Sequence, residues 1–227
     1  MILMKTILLA ILMFVLTGCV QSEGFFRQGK PTTQRHTLKE LRDMNVVKQE
    51  KDYSCGSAAL ATLMIYYFDE KTTEEEILTR LNSFMTEEER QNKTLVGFSL
   101  LDLKKVAQSM GYRAAGFKVA AQQLARLTAP VMVFVEPRGY KHFAVLRGMS
   151  WRRVYLADPA RGNLRMSLEQ FIDEWGGIIF VLGKQREEEI KDYPLAIRHN
   201  EEYGQPELVR FNGQLDLGSY INMLSLR

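Results

Sequence analysis

Few residues in this chain could do chemistry, which makes the candidates easy to single out. The 227 residues include two cysteines, Cys19 and Cys55, and three histidines. Cys55 comes just before an apolar run at 57–68, SAALATLMIYYF, which predicts a buried central helix. A thiol at a helix N-terminus is expected to have a lowered pKa, because the exposed N–H groups favour the thiolate. Cys55 is therefore the candidate nucleophile.

A nucleophilic thiol also needs a base, and position in the sequence selects one histidine. His36 lies in a polar N-terminal stretch and His199 in a charged C-terminal one, whereas His142 opens an apolar strand, HFAVL. Asp158 ends the next predicted strand, VYLAD. Adjacent antiparallel strands put the start of one beside the end of the next, so His142 and Asp158 should be neighbours. Each signal taken singly also fits a structural role, but joined they favour a Cys-His-Asp triad.

Other kinds of chemistry find less support in the residues. Cysteine, histidine and aspartate could bind a metal, but the sequence has no CxxC or HxxxH spacing, so neither a metal nor a cofactor is expected. The chain has no GxxxxGK[ST] phosphate loop. A net charge of +3 is too small to argue for nucleic acid as a partner.

The first residues bear on the cellular compartment. An apolar run at 6–16 is short for a membrane span and has the layout of a secretory signal. It ends in LTGC, which resembles the bacterial lipobox. The resemblance implies a lipoprotein signal peptide at 1–18 and acylation of Cys19, with a plain signal peptide or an uncleaved anchor as the alternatives. The predicted location is the cell envelope, lipid-anchored and facing the periplasm, and Val20 slightly favours the outer membrane.

The elements that must position these residues follow from periodicity and capping. After a predicted tether at 19–40, the pattern gives helices first, with N-caps at Thr73, Thr86 and Ser99. Strands at 115–119, 131–135, 142–147, 153–157 and 178–182 follow, with one helix capped by Ser167 before the last of them. The short connections predict an α+β domain at 41–183 with a mostly antiparallel sheet. A charged extension at 184–227 either packs back on the domain or binds a partner.

Three segments in this order resemble the double-glycine leader peptidases, which are papain-like cysteine peptidases. KQEKDYSCGSAALATLMIYY resembles their cysteine box, GYKHFAVLRG their histidine box, and VYLADPARGNLRMSLEQFIDEWGG their Asp-Pro box. The resemblance runs from about 46 to 183. It implies that Cys55 is the nucleophile, that His142 is the base and Asp158 its orienter, and that Gln49 donates to the oxyanion.

The resemblance also implies a reaction, although this chain departs from the usual family pattern. Most relatives are fused to an ATP-driven exporter, whereas this chain carries an export leader. Stand-alone exported relatives accompany functional-amyloid secretion. We therefore predict an endopeptidase that cleaves a secreted or periplasmic protein after a Gly-Gly-like pair, with a secretion-system partner. A non-hydrolytic binding module of the same fold is the alternative, and acyl transfer to an amine is a third reading.

Overall fold

The computed structural model describes residues 36–150, 152–184, 190, 192–197 and 208–209. The predicted signal peptide, Cys19 and His199 lie outside the described residues. The helices are α1 (Leu38–Asp43), α2 (Cys55–Tyr66), α3 (Glu74–Ser83), α4 (Glu87–Val96), α5 (Leu100–Ser109), α6 (Ala121–Leu124) and α7 (Leu168–Glu174). The strands are β1 (Arg113–Lys118), β2 (Val131–Val135), β3 (His142–Ser150), β4 (Arg153–Asp158), β5 (Gly162–Ser167), β6 (Trp175–Gly183) and β7 (Leu208–Val209).

All strand pairs of the described chain are antiparallel, as the short connections predict. The order across the sheet is β1-β6-β2-β3-β4-β5, and β7 pairs with the far end of β3. Helices α2 to α5 precede the sheet in the chain, and α2 packs on β3. The predicted α+β class with a helix-first order is therefore confirmed.

Helix α2 is the buried centre of the domain. All residues from Cys55 to Met64 are buried. The helix begins at Cys55, two residues before the apolar run that predicts it, so the cysteine lies in the first turn. A Cβ at Gly56 would lie 3.1 Å from Leu103 and 3.2 Å from Phe143, so glycine lets α2 approach both α5 and β3 closely.

Helices α3 to α5 begin where the sequence predicts. Thr73, Thr86 and Ser99 are the N-caps, and each side chain accepts a hydrogen bond from the backbone N–H three residues on. Helix α4 has no buried residue and ends at Gly97, whose φ is 77°. Lys93 and Asp102 form an ion pair at 2.7 Å that ties the end of α4 to α5.

The register of β3, β4 and β5 decides which side chains meet. Val145 of β3 pairs with Ala157 of β4, so the start of β3 lies beside the end of β4. Strand β5, which the sequence pattern does not predict, pairs with β4 along its whole length. This pairing places Gly162 opposite Asp158.

The described structure extends on both sides of the predicted domain at 41–183. Helix α1 begins at Leu38, inside the last part of the predicted tether, and is capped by Thr37. Within the predicted extension, residues 193–196 lie against the domain, and Leu195 has no exposed surface. We call residues 193–196 the C-terminal strap. No helix among the described residues is long and apolar enough to cross a membrane.

Candidate active site

His142 and Asp158 meet at one edge of the sheet, as the strand order predicts. His142 Nε2 lies 3.0 Å from Asp158 Oδ1, and both residues are buried. Asp158 Oδ1 also accepts from the backbone N–H groups of Ala160 and Arg161, each at 2.8 Å. Arg161 Nε donates to Asp158 Oδ2 at 2.8 Å. The carboxylate is thus held by donors on both oxygens and can orient the imidazole.

Cys55 lies on the other side of His142. Its side chain is close enough to the imidazole to contribute to the raised pKa of His142. Because Nε2 faces Asp158, the second ring nitrogen is the one available to the thiol. Residue Cys55 is 7% exposed, at the N-terminus of α2, where the first N–H groups have no carbonyl one turn earlier. The arrangement brings the thiol, the imidazole and the carboxylate together, with the imidazole between the other two groups.

Interactions with Asp158 and Cys55 keep the imidazole of His142 protonated at neutral pH. Burial acts to lower the pKa of His142, but its hydrogen bond with Asp158 and its interaction with Cys55 outweigh it and raise that pKa to about 9. Burial acts to raise the pKa of Asp158, but its hydrogen bond to His142 and its contacts with Arg161 bring it down to about 2. At neutral pH the pair is therefore an imidazolium beside a carboxylate.

Gln49, the predicted oxyanion donor, lies on the segment that leads to Cys55. Its Nε2 donates to the carbonyl of Lys51 at 2.9 Å and is 3.4 Å from the carbonyl of Asp52. Its backbone N–H donates to the carbonyl of Pro159 at 3.1 Å, which ties this segment to the turn after Asp158. The role of Gln49 at the oxyanion stays a prediction.

Two clefts open beside Cys55. The first, of about 400 Å³, has an apolar wall made by Val96, Phe98, Leu100, Phe134, Phe143 and Ile178. We call it the apolar cleft. The second, of about 440 Å³, has polar and apolar lining residues, and we call it the mixed cleft. It is lined by Asp52, Tyr53, Cys55, Thr94, Leu95, Val96, Gly97, Gly139, Tyr140 and Lys141. The end of α4 borders both clefts, and Cys55 lines both of them.

Three residues near the site are not among those that the sequence predicts. Arg161 could have been found, since it follows Asp158 at the i+3 spacing of an ion pair. Tyr140 donates to the carbonyl of Asp52, and Glu74 reaches the segment before Cys55 from α3; no local pattern announces either contact. Among the described residues no group of three His, Cys, Asp or Glu is arranged to hold a metal ion.

A buried helix that starts at a cysteine and packs on an antiparallel sheet carrying histidine and aspartate defines a papain-like cysteine peptidase. The Peptidase C39 family matches residues 43–187, well over half of the chain. The chain belongs to this family of cysteine peptidases.

Relatives of two kinds resemble this chain. The "Probable functional amyloid protease FapD" of Pseudomonas aeruginosa is 36% identical over 183 residues, covering 79% of this chain and 80% of that protein. The protein of the same name from Pseudomonas fluorescens is 39% identical over 151 residues, 65% of each chain. The lactococcin-G-processing and transport ATP-binding protein LagD of Lactococcus lactis is 25% identical over 59% of this chain but only 18% of that protein.

Two solved structures support the fold. The peptidase domain of Streptococcus ComA, a bifunctional ABC transporter, has a TM-score of 0.53 and 23% identity over 62% of this chain and 98% of that chain. A double glycine motif protease from an AMS/PCAT transporter, solved with its leader peptide, has a TM-score of 0.51 and 24% identity over 62% of this chain and 94% of that chain.

Proposed function

We propose that this cysteine peptidase is an endopeptidase that uses Cys55, His142, Asp158 and Gln49 to cleave a secreted or periplasmic protein. The observation that carries the proposal is the buried pair of His142 and Asp158, 3.0 Å apart, next to Cys55, which helps to raise the pKa of the imidazole. A nucleophile, a base that holds its proton and a group that orients the base are the parts of thiol-dependent acyl transfer.

The residues divide the reaction into two steps. The Cys55 thiolate attacks the peptide carbonyl, and the backbone N–H of Cys55 and the amide of Gln49 donate to the oxyanion. The imidazolium of His142 then gives its proton to the leaving amine, the C–N bond breaks and a thioester remains. Neutral His142 takes a proton from water, the hydroxide attacks the thioester, and the thiolate leaves. Asp158 holds the ring in one orientation throughout.

Access to the thiol argues for small residues at the scissile bond. Cys55 is 7% exposed, so a peptide carbonyl reaches the sulfur only when the flanking residues are small. The apolar cleft beside the thiol would receive larger apolar side chains further from the bond. A Gly-Gly-like pair preceded by apolar residues is therefore the proposed cleavage motif.

Turnover of a quenched peptide tests this proposal. The full-length protein is incubated with an internally quenched peptide that has apolar residues before a Gly-Gly pair, and with a matched peptide that has Leu-Leu instead. We expect cleavage after Gly-Gly by the wild type, none by Cys55→Ala, and little cleavage of the Leu-Leu peptide. If Cys55→Ala cleaves as well as the wild type, the mechanism is wrong. If the wild type binds the peptide without cleaving it, a binding module is the better description.

The cellular context is a second part of the proposal. We propose that Cys19 is acylated and that the enzyme faces the periplasm, where it serves a secretion or functional-amyloid system. The lipobox-like LTGC and the names of the Pseudomonas relatives support this. Mass spectrometry of the mature N-terminus tests it. We expect a diacylated or triacylated Cys19 and release from the membrane in Cys19→Ala; an unmodified Cys19 in membranes would refute the anchor.

A further inference from the structure

Tyr140 has no part in the mechanism above, yet it bridges the two segments that form the site. It lies two residues before His142, and its ring centroid is 6.3 Å from that of His142. The residue is 56% exposed, but its hydroxyl donates to the carbonyl of Asp52 at 2.9 Å. An exposed tyrosine rarely needs a protein partner, because water can satisfy its hydroxyl. The contact with Asp52 therefore suggests a role in the site.

The carbonyl of Asp52 is also within reach of Gln49. Nε2 of Gln49 carries two hydrogens and has two nearby carbonyls, Lys51 at 2.9 Å and Asp52 at 3.4 Å. The longer contact is the weaker one. The Asp52 carbonyl therefore accepts from Tyr140 at 2.9 Å and from Gln49 at 3.4 Å, and Tyr140 is the stronger donor of the two. The weak contact of Gln49 can be given up when an oxyanion forms above Cys55.

We propose that Tyr140 is a positioning residue that competes for the Asp52 carbonyl, so that the Gln49 amide is held there only weakly and can turn to stabilise the oxyanion. The inference rests on the peptidase function proposed above. Without the Tyr140 hydroxyl, the hydrogen bond from Gln49 to the Asp52 carbonyl shortens and holds the amide more tightly. The oxyanion then loses one of its donors, although the amide itself is still present.

The surroundings of Tyr140 suit this role. The residue lines the mixed cleft together with Cys55 and Asp52, so the three residues border the same space. The pKa of Tyr140 lies above its usual value. Burial is the main cause, and the negative charges of Cys55 and Asp52 add to it. The hydroxyl therefore keeps its proton and remains a donor over the pH range in which a periplasmic enzyme works.

Kinetics of Tyr140→Phe, Gln49→Ala and the double variant test the inference on the quenched Gly-Gly peptide. We expect Tyr140→Phe to lower kcat about threefold to tenfold with little change in KM, the size of one neutral hydrogen bond. We expect the double variant to match Gln49→Ala within about twofold, since Tyr140 acts only through Gln49. Tyr112→Phe, which removes a hydroxyl bonded to Glu70 at 3.2 Å, is the matched control and should keep wild-type kinetics.

A second readout does not depend on turnover. The side-chain amide resonances of Gln49, observed by ¹⁵N NMR of the full-length protein in detergent, should shift in Tyr140→Phe and stay in place in Tyr112→Phe. Wild-type kcat in Tyr140→Phe, losses that multiply in the double variant, or an unmoved Gln49 amide would each overturn the inference. Absence of cleavage by the wild type, with the expected shift of the Gln49 amide, would instead reject the proposed function and leave the Tyr140 contact intact.

Discussion

At the scale of single residues, Asp158 is the most tightly specified side chain of the site. It is fully buried and accepts from His142, from two backbone N–H groups and from Arg161. Every one of these partners is a donor, so an amide nitrogen in place of either oxygen would face another N–H. Position 158 therefore requires a carboxylate, because asparagine of nearly the same shape would leave buried donors unsatisfied.

The charge of the His142–Asp158 pair predicts how stability depends on pH. The pKa of His142 rises from 6.5 to about 9 on folding, so its contribution is fully present below about pH 6.5 and is lost as the pH rises through 9. The pKa of Asp158 falls from 3.8 to about 2, so its contribution is present above about pH 3.8 and is lost as the pH falls through 2.

We expect kcat/KM to decline as the pH rises through about 9, because the imidazolium is lost.

Denaturation of the wild type and of His142→Gln across this pH range measures the contribution. The gap in free energy of unfolding between them should be largest below pH 6.5 and shrink toward pH 9 and above. A gap that stays constant up to pH 10 or so would show that His142 is not held as a cation in the folded protein.

Glu74 is the second buried acid that reaches the cysteine segment, and it allows a separate prediction. Its Oε2 accepts from the backbone N–H of Glu50 at 3.1 Å, while Oε1 is buried and has no partner among the described residues. Burial is the main cause of its raised pKa. Because the folded pKa is above the usual value of 4.5, the charged form costs stability as the pH rises through it.

We therefore expect Glu74→Gln to be more stable relative to wild type at pH 7 than at pH 4. Glu74→Ala should destabilise by about 1–3 kcal/mol, since it leaves the N–H of Glu50 unsatisfied. Urea denaturation at the two pH values measures both effects. Exposed Glu75→Gln is the control and should show no such pH dependence; equal behaviour of the Glu74 and Glu75 variants would contradict the prediction.

At the scale of elements, the start of β5 is fixed by its contact with α1. Gly162 has a φ of 84°, and a Cβ there would lie 2.6 Å from the carbonyl oxygen of Arg42. Gly111 has nearly the same φ of 83° but open space around it. A substitution at Gly111 therefore measures only the cost of the left-handed backbone, whereas one at Gly162 adds the cost of a steric clash with Arg42.

We expect Gly111→Ala to cost about 1–2 kcal/mol, the penalty of a left-handed residue with a Cβ. Gly162→Ala should cost clearly more, because α1 must also move away from β5. Thermal denaturation of both variants measures the difference. Equal losses would show that α1 does not lie against β5 in solution.

The sequence predicts the parts of the fold that depend on local signals. The N-caps Thr86 and Ser99 and the apolar strand Val131–Val135 are confirmed with their predicted positions. Strand β5 is not predicted because its residues, GNLRMS, include no β-branched or aromatic side chain, although polar and apolar residues alternate in it; the strand forms by pairing with β4. Helix α1 does carry a local signal, the capping box of Thr37 and Glu40, but the polar surroundings suggested a tether.

The candidate site also has contacts that the sequence predicts and contacts that it does not. The neighbourhood of His142 and Asp158 follows from strand order and could be predicted. The contacts of Gln49 and Tyr140 with the Asp52 carbonyl depend on how two loops meet, which periodicity does not encode.

At the scale of the whole molecule, the C-terminal strap is part of the core although it lies beyond the family match at 43–187. Arg147, which is buried in β3, donates to the carbonyl of Leu195 at 3.0 Å and to that of Ala196 at 3.2 Å. Asn45 donates to the carbonyl of Pro194 at 2.9 Å, and the ring of Tyr193 packs on Tyr67. The strap therefore connects the segment around Asn45, which follows α1, to strand β3.

Removing the buried side chain of the strap should destabilise the whole domain. We expect Leu195→Ala to lower the free energy of unfolding by about 2–5 kcal/mol, because Leu195 has no exposed surface. Leu38→Ala, at a residue that is 87% exposed, is the matched control and should change stability by less than about 0.5 kcal/mol. Chemical denaturation measures both; a Leu195 variant as stable as the control would mean that the strap does not belong to the folded unit.

The pairing of Cys55 with His142 joins two parts of the chain that helices α3 to α5 and strands β1 and β2 separate. The unfolded chain has the sulfur but holds no imidazole next to it. Only after α2 has settled on β3 does the nucleophile exist. Folding itself thus brings the catalytic groups together, and a chain that has not yet folded cannot cleave by this mechanism.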